Sequence, residues 1–434
     1  MRRILSLAAI CSLAYPGMAL AEEPEAPKEA ADDMTEEYKG MTPPEEHATP
    51  AEEAMPEPPR TKADDMTKEY GGEEPSEGEH PFLDGLSWQV MGSAFYRLGG
   101  YVGDGVLAGD YNTLYVPDDG VGYPYTGYNG FGVNFVGGMA QYTGEKFGVT
   151  VDLRFGTGAP LLTPLAPVKQ GYVSYMPTEK ISIDFGFFDT IFGAEVADEW
   201  NNANYTRGAL YFLRQPFNHM GIRSAFELSD KVGFTFMLTD GGVLGGVTVA
   251  DNETPAIGWQ FAFAPKENVG LFVGGNHAAS GSNGNRDWEN FFDVVLNVNI
   301  DWFTLIFNGD YQVNPHVPGS ADAVSFEYGN SLAFVFDASD KVSIGLRGEN
   351  LSGNQDWRDF SGQSYGSITT GTITLRYKPV EYLVLSLEGR GEWASREIYY
   401  SRTSPVDDTV PRGLLPNKTQ NYAVILGASA HIGN

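Results

Sequence analysis

Phe147-Gly148-Val149-Thr150-Val151-Asp152-Leu153-Arg154-Phe155-Gly156 decides the fold, because apolar residues alternate without a break with polar or small ones. In extended backbone, successive side chains point to opposite faces. Phe147, Val149, Val151, Leu153 and Phe155 therefore share one face, and Gly148, Thr150, Asp152, Arg154 and Gly156 the other. The same two-residue beat recurs in sixteen candidate strands, near 88–98, 131–142, 147–156, 168–176, 181–188, 220–228, 232–239, 257–264, 269–275, 290–300, 303–312, 328–336, 342–349, 368–377, 383–393 and 420–432. A soluble sandwich alternates too, but it turns its apolar faces inward and must manage its edges. What separates the two is how the strands are joined.

Short turns fall at 143–146, 177–180, 229–231, 265–268, 301–302, 337–341 and 378–382, built from Pro, Gly, Asn and Asp with solvated Lys and Glu. Between them lie eight longer Gly/Asn/Asp-rich loops, and seven turns plus eight loops join sixteen strands. That rhythm predicts an all-β fold, a closed antiparallel transmembrane β-barrel with one short-turn rim and one long-loop rim. An even count leaves both chain ends on the short-turn rim, which is periplasmic in an outer-membrane barrel. Closure follows from physics, since hydrocarbon cannot satisfy an open strand edge. Sixteen strands leave an interior too wide for side chains to fill, so a water-filled lumen is expected.

Composition agrees with that reading. The 434 residues carry a net charge of −29, with 53 Gly, 23 Tyr and 26 Phe. Such acidity excludes nucleic acid as a partner, because no basic stripe is available to neutralise phosphates. Residues 1–21 read as a secretory signal: Arg2 and Arg3, then an apolar run from Ile4 to Leu13, then Ala19-Leu20-Ala21 before Glu22. The single cysteine, Cys11, falls inside it, which removes disulfides, thiol nucleophiles and Cys-ligated metals from consideration. No later apolar run approaches the ~20 residues a spanning helix needs.

Residues 22–82 are a different polymer. From Glu22 to Pro81 there are 20 Asp/Glu against 5 Lys/Arg. A segment this poor in apolar side chains cannot offset its ordering entropy, so a disordered acidic extension is expected, with the barrel occupying 83–434. Within it Ala31-Asp32-Asp33-Met34-Thr35-Glu36-Glu37-Tyr38 returns as Ala63-Asp64-Asp65-Met66-Thr67-Lys68-Glu69-Tyr70. Two copies do not stack into a solenoid; they read as a duplicated spacer or as docking motifs for a periplasmic partner.

Several blocks carry a family likeness. Lys169-Gln170-Gly171-Tyr172-Val173-Ser174-Tyr175 is followed by Asp184-Phe185-Gly186-Phe187-Phe188-Asp189-Thr190, Phe192-Gly193-Ala194-Glu195 and Asn202-Ala203-Asn204-Tyr205-Thr206-Arg207-Gly208. Pro216-Phe217-Asn218-His219-Met220-Gly221, Leu375-Arg376-Tyr377-Lys378-Pro379 and Leu387-Glu388-Gly389-Arg390-Gly391-Glu392-Trp393-Ala394-Ser395 extend it. Together they resemble the β-barrel porin-2 (OmpL-like) family of Gram-negative outer membranes, from about residue 131 to the C-terminus. The resemblance implies a channel without naming a solute. One departure is the last stretch, Ala430-His431-Ile432-Gly433-Asn434, which lacks the terminal aromatic residue usual in such barrels.

Two sets of candidate site residues follow. The third long loop, between Asp189 and Asn218, is by analogy with general porins a constriction loop, with Asp189, Glu195, Asp198, Glu199, Arg207 and Arg214 as its charged candidates. Strand phase supplies the pore lining: Asp152, Arg154, Asp184, Arg223, Glu227, Asp293, Asp310, Arg347, Glu349, Arg376, Glu388, Arg390 and Glu392. Charges on the lipid face would cost ~2–4 kcal/mol at the midplane, so these must face water. The excess of acids points to weak cation preference.

Catalytic signatures are sparse. His47, His80, His219, His277, His316 and His431 lack metal-ligand spacing, so neither metal nor cofactor is expected. His219 near Ser224 and His277 near Ser280 are the only pairs a lipid hydrolase could draw on. Asn283-Gly284-Asn285-Arg286-Asp287 lacks the closing Glu of a calcium loop. The expected protein is therefore a non-enzymatic outer-membrane channel for passive diffusion of small hydrophilic solutes or ions. Its partners are outer-membrane lipids and, by analogy with classical porins, two further copies of itself in a homotrimer. The rival expectation is an occluded barrel serving adhesion or envelope tethering through its loops and acidic tail.

Overall fold

The structure is a computed structural model that describes residues 85–103, 106–108, 130–247, 254–280, 287–314, 324–353, 357–358, 364–399 and 417–433. The expected signal peptide, the acidic extension with its repeat, and residues 283–286 of the calcium-like stretch lie outside them.

Sixteen long strands form one antiparallel sheet: β1 (Leu86–Gly103), β2 (Gly130–Thr143), β3 (Phe147–Phe155), β4 (Val168–Thr178), β5 (Ile181–Asp189), β6 (Asn218–Ser229), β7 (Val232–Thr239) and β8 (Ala256–Lys266), then β9 (Val269–Ser280), β10 (Asp287–Ile300), β11 (Phe303–Asn314), β12 (Ser325–Ser339), β13 (Val342–Gly353), β14 (Ile368–Val380), β15 (Leu383–Ala394) and β16 (Gln420–Gly433). Each pairs with its sequence neighbours, and β16 returns to β1 from Gln89↔Gly433 to Gly100↔Tyr422, which closes the barrel. Three shorter pieces decorate the long loops: Val106–Ala108 against the end of β1, and Trp357–Arg358 against Ser364–Gly366.

The seven short turns and eight long loops alternate as the sequence predicts, so β1 begins and β16 ends on the short-turn rim. The strands run further toward the long-loop rim than expected. β9 continues through His277-Ala278-Ala279-Ser280, paired with Asp287 to Asn290, and β13 continues to Gly353. Polar and small residues there blur the two-residue beat, but backbone pairing does not depend on it. The two-residue turn at Asp301-Trp302 places Asp301 at φ 38, a left-handed conformation that Asp tolerates better than most residues.

β3 shows the two faces plainly. Phe147, Val151 and Phe155 are exposed and Thr150, Asp152 and Arg154 buried. Exposed Phe185, Phe263, Leu332, Ile373, Leu387 and Leu426 continue the apolar outer band around the barrel. Both rims carry aromatic residues: Trp302, Tyr377 and Tyr382 on the short-turn side, Tyr311, Tyr328 and Trp393 on the other.

Candidate functional site

Residues 190–217, the third long loop (L3), leave the rim between β5 and β6 and run through the barrel interior. The Thr190 N–H donates to Phe217 O (3.0 Å) and closes the loop's base. Phe192 is fully buried in a cluster with Phe188, Met237 and Phe291. The Ala194 N–H and Gln215 Nε2 both donate to Asn308 Oδ1 on β11, so descending and returning legs meet at one side chain. Further on, Asp198 reaches Arg154 on β3 (2.9 Å), Trp200 stacks on His431 of β16, and Tyr205 donates its hydroxyl to Ala94 O on β1 (3.0 Å). L3 thus spans the lumen from wall to wall. A six-residue helix, α1 (Ala209–Arg214), packs against β12 and β13 on its way back.

Strands β13 to β15 hold this loop by its main chain. Arg376 donates to the carbonyls of Trp200 and Asn202 (both 2.6 Å), Arg347 to Thr206 O (2.6 Å) and Arg390 to Arg207 O (2.7 Å). Glu388 accepts from the N–H groups of Tyr205 and Thr206, and Glu349 from those of Ala209 and Leu210. Five wall side chains therefore satisfy eight backbone groups of L3. Loop backbone buried this deeply needs such partners, because each buried unpaired N–H or C=O is costly. Room is left by glycines: a Cβ on Gly345 would sit 1.9 Å from Ala203 O, and one on Gly427 would meet the Tyr205 ring at 2.5 Å.

The charged candidates of L3 are paired rather than segregated into an acidic bank facing a basic one. Asp189 pairs with Lys169, Glu195 with Arg347 (2.5 Å), Asp198 with Arg154, and Glu199 with Arg207 (3.5 Å) and Asn134. Arg207 also donates to Ala197 O and lies over the Tyr211 and Phe212 rings, while Arg214 contacts Gln312 and Glu327. Burial pushes the Glu195 carboxyl above the usual range against the pull of Arg347, and draws the Arg214 guanidinium down to about 10 despite Glu327. Burial likewise raises the Tyr205 hydroxyl, which stays protonated as a donor.

All thirteen strand-phase candidates lie on inward positions of the sheet, and ten of them are buried; Arg223, Glu227 and Arg376 keep partial exposure. Asp152 and Arg154 pair on β3 (2.7 Å), Arg390 and Glu392 on β15 (2.6 Å), and Arg347 and Glu349 on β13 (3.3 Å). Asp184 and Arg223 pair across β5 and β6 (2.7 Å). Asp293 and Asp310 face each other across β10 and β11 and share Asn308 Nδ2 (2.8 and 2.9 Å). Glu227 stands apart, near the short-turn end of β6.

Sequence reasoning passed over Lys169, Tyr205, Asn308 and Glu327. Asn308 shares the inward phase of Asp310, and an extra inward position toward the rim would have found Glu327. Lys169 lies where the β3–β4 register shifts between Asp152 and Leu153, so phase could not place it.

The histidine pairs do not assemble. His219 is buried beside Thr190 Oγ1 (3.1 Å), and His277 accepts from Trp259 Nε1 (2.9 Å) and contacts Asn290. Among the described residues no cluster of His, Asp and Glu has the makings of a metal site.

Sixteen closed strands, an apolar outer band and a long loop across a charged lumen define an outer-membrane β-barrel of the porin class. The family model described as "Putative beta-barrel porin-2, OmpL-like" matches residues 97–421, and the chain belongs to that family, whose members are typically non-enzymatic channels. No curated protein matches the chain by sequence. Solved structures share the fold. An anion-selective porin from Comamonas acidovorans aligns with TM-score 0.54 and 7% identity over 80% of this chain and 99% of its own. The outer membrane channel DcaP of Acinetobacter baumannii aligns with TM-score 0.51 and 11% identity, over 80% and 96%. OmpT of Vibrio cholerae in a trimer form aligns with TM-score 0.50 and 12% identity, over 80% and 99%.

Proposed function

We propose that the chain forms a channel for passive diffusion of small hydrophilic solutes or ions, narrowed by L3 and weakly selective for cations. One observation carries the preference. In three ion pairs made by L3 and its base, the carboxylate is the more exposed partner: Lys169 3% against Asp189 38%, Arg154 3% against Asp198 23%, and Arg347 1% against Glu195 15%, while Arg223 at 18% against Asp184 at 10% runs the other way. Solute in the lumen therefore meets carboxylates, which raise the local cation concentration. The Comamonas porin is named for the opposite preference, but at its low identity the likeness concerns fold alone. Planar-bilayer recording of the purified protein should give single-channel steps, with a reversal potential in a KCl gradient of cation-selective sign; an anion-selective sign would refute the preference.

A second reading, an occluded barrel that serves adhesion or envelope tethering, draws support from the burial of ten of the thirteen inward charges. It predicts no conductance until L3 is removed. The N-terminal signal and the acidic periplasmic extension belong to this proposal, as does a homotrimer. Several outward positions where the barrel closes are small, Gly92 and Ala94 on β1, Gly138 and Ala140 on β2, Ala428 and Ala430 on β16, a patch bordered by the exposed Val133 and Val136 on which another barrel can approach closely.

A further inference from the structure

The inner wall is not equally covered by L3. Inward side chains of β13 to β16 are buried almost throughout, from Arg347, Thr370 and Ser386 to Ser429. Those of β10 to β12 largely follow, through Asp293, Asn308 and Ser331. On β4 to β7 the pattern changes: Tyr172, Ser182, Arg223, Ala225, Glu227 and Thr235 all keep partial exposure. These strands are neighbours, and Ala225 lies between Ser182 and Thr235 in register, so the exposed positions form one continuous strip. The wall's hold on L3, its cradle, explains the asymmetry: the bonds draw the middle of the loop toward β13 to β15 and leave the turn-side part of the opposite wall open, while the loop-side part, with Phe188, His219 and Met237, packs with Phe192.

We infer that solute crosses along an off-axis path against β4 to β7, selected for positive charge by Asp184, Asp189 and Glu227 there and by Asp198 at its β3 edge. This rests on the channel reading above and assigns its route and filter. The bases on that side are Arg223, fixed to Asp184 through two bonds and stacked over Phe188 (4.6 Å), Lys169, whose side chain is buried against Asp189, and Arg154 at the β3 edge, which Asp152 and Asp198 share. With Asp152 counted, these three bases meet five acids, so the path carries net negative charge. Inward charges of β13 to β15 take no part in selection; they position L3. Inorganic cations and small cationic solutes are the class this wall favours.

The test uses single-cysteine variants of the full chain, whose one natural cysteine, Cys11, lies in the expected leader. Ala225→Cys and Thr235→Cys sit on the path, while Ser331→Cys and Ser386→Cys sit on covered walls. A cationic methanethiosulfonate should modify the first two at least about tenfold faster than the second two, as a charged reagent must follow the accessible wall, and should lower conductance only there. Equal rates, or faster reaction at the covered walls, would overturn the path. In bilayers Asp198→Asn and Asp184→Asn should each reduce the cation-to-anion permeability ratio by about threefold; an unchanged ratio in both would overturn the filter. Should the parent protein show no conductance, the channel reading fails, while the labelling pattern still decides where the lumen is open.

Discussion

Arg347 satisfies four groups with one guanidinium: Glu195, Glu349, the Thr206 carbonyl and Thr372 Oγ1. Its replacement by Ala leaves two carboxylates without their cation and a carbonyl without its donor. Breaking a buried pair from one side costs about 3–5 kcal/mol, so R347A should lower the temperature at which the barrel loses its heat-modifiable gel mobility. It should also raise conductance by loosening L3. Glu388→Gln is the milder change, because the amide oxygen can still accept from Tyr205 and Thr206. A Glu388→Gln barrel as unstable as R347A would show that charge, rather than hydrogen bonding, fastens the loop. The inward position of such residues was legible from the period of two. Their employment was not: periodicity says that Arg347 faces inward, and says nothing of whether water or a loop awaits it.

At the scale of the element, L3 is a peptide bound by the wall of its own barrel. Deleting residues 191–216 and joining the ends with a short turn should raise single-channel conductance severalfold while leaving heat-modifiable mobility intact; unchanged conductance would mean that L3 does not narrow the path. Gly345→Leu offers a subtler check, since the Ala203 carbonyl occupies the space a side chain would need. That variant should behave like a partial deletion. The strands themselves were readable because Phe147-Gly148-Val149 and its repeats write their two faces directly, and because Pro177-Thr178-Glu179-Lys180 and its like mark the turns. L3 was readable only as a long loop of mixed charge. The wall side chains that hold its main chain lie more than a hundred residues away, and no local pattern encodes a partner at that separation.

For the whole molecule, closure in a bilayer predicts resistance to extraction by urea or carbonate, and extraction by either would refute membrane insertion. The small-residue surface at the β16–β1–β2 seam predicts a trimer that dissociates when bulk is added there. Ala94→Trp or Ala428→Trp should shift the native species to monomer in cross-linking or mass photometry, with the barrel still folded. An unshifted trimer would place the contact elsewhere. The cradle also bears on the order of assembly. L3 follows β5, but its main chain is held by residues far downstream, with Tyr205 and Glu388 separated by 183 positions. Contacts of such sequence distance form late, once intervening chain has been ordered. The N-terminal strands must therefore be laid down with the loop still unseated, and β13 to β15 supply its berth near the end. A nascent barrel of this kind is wide open before it is narrow, and its last folding event sets the bore.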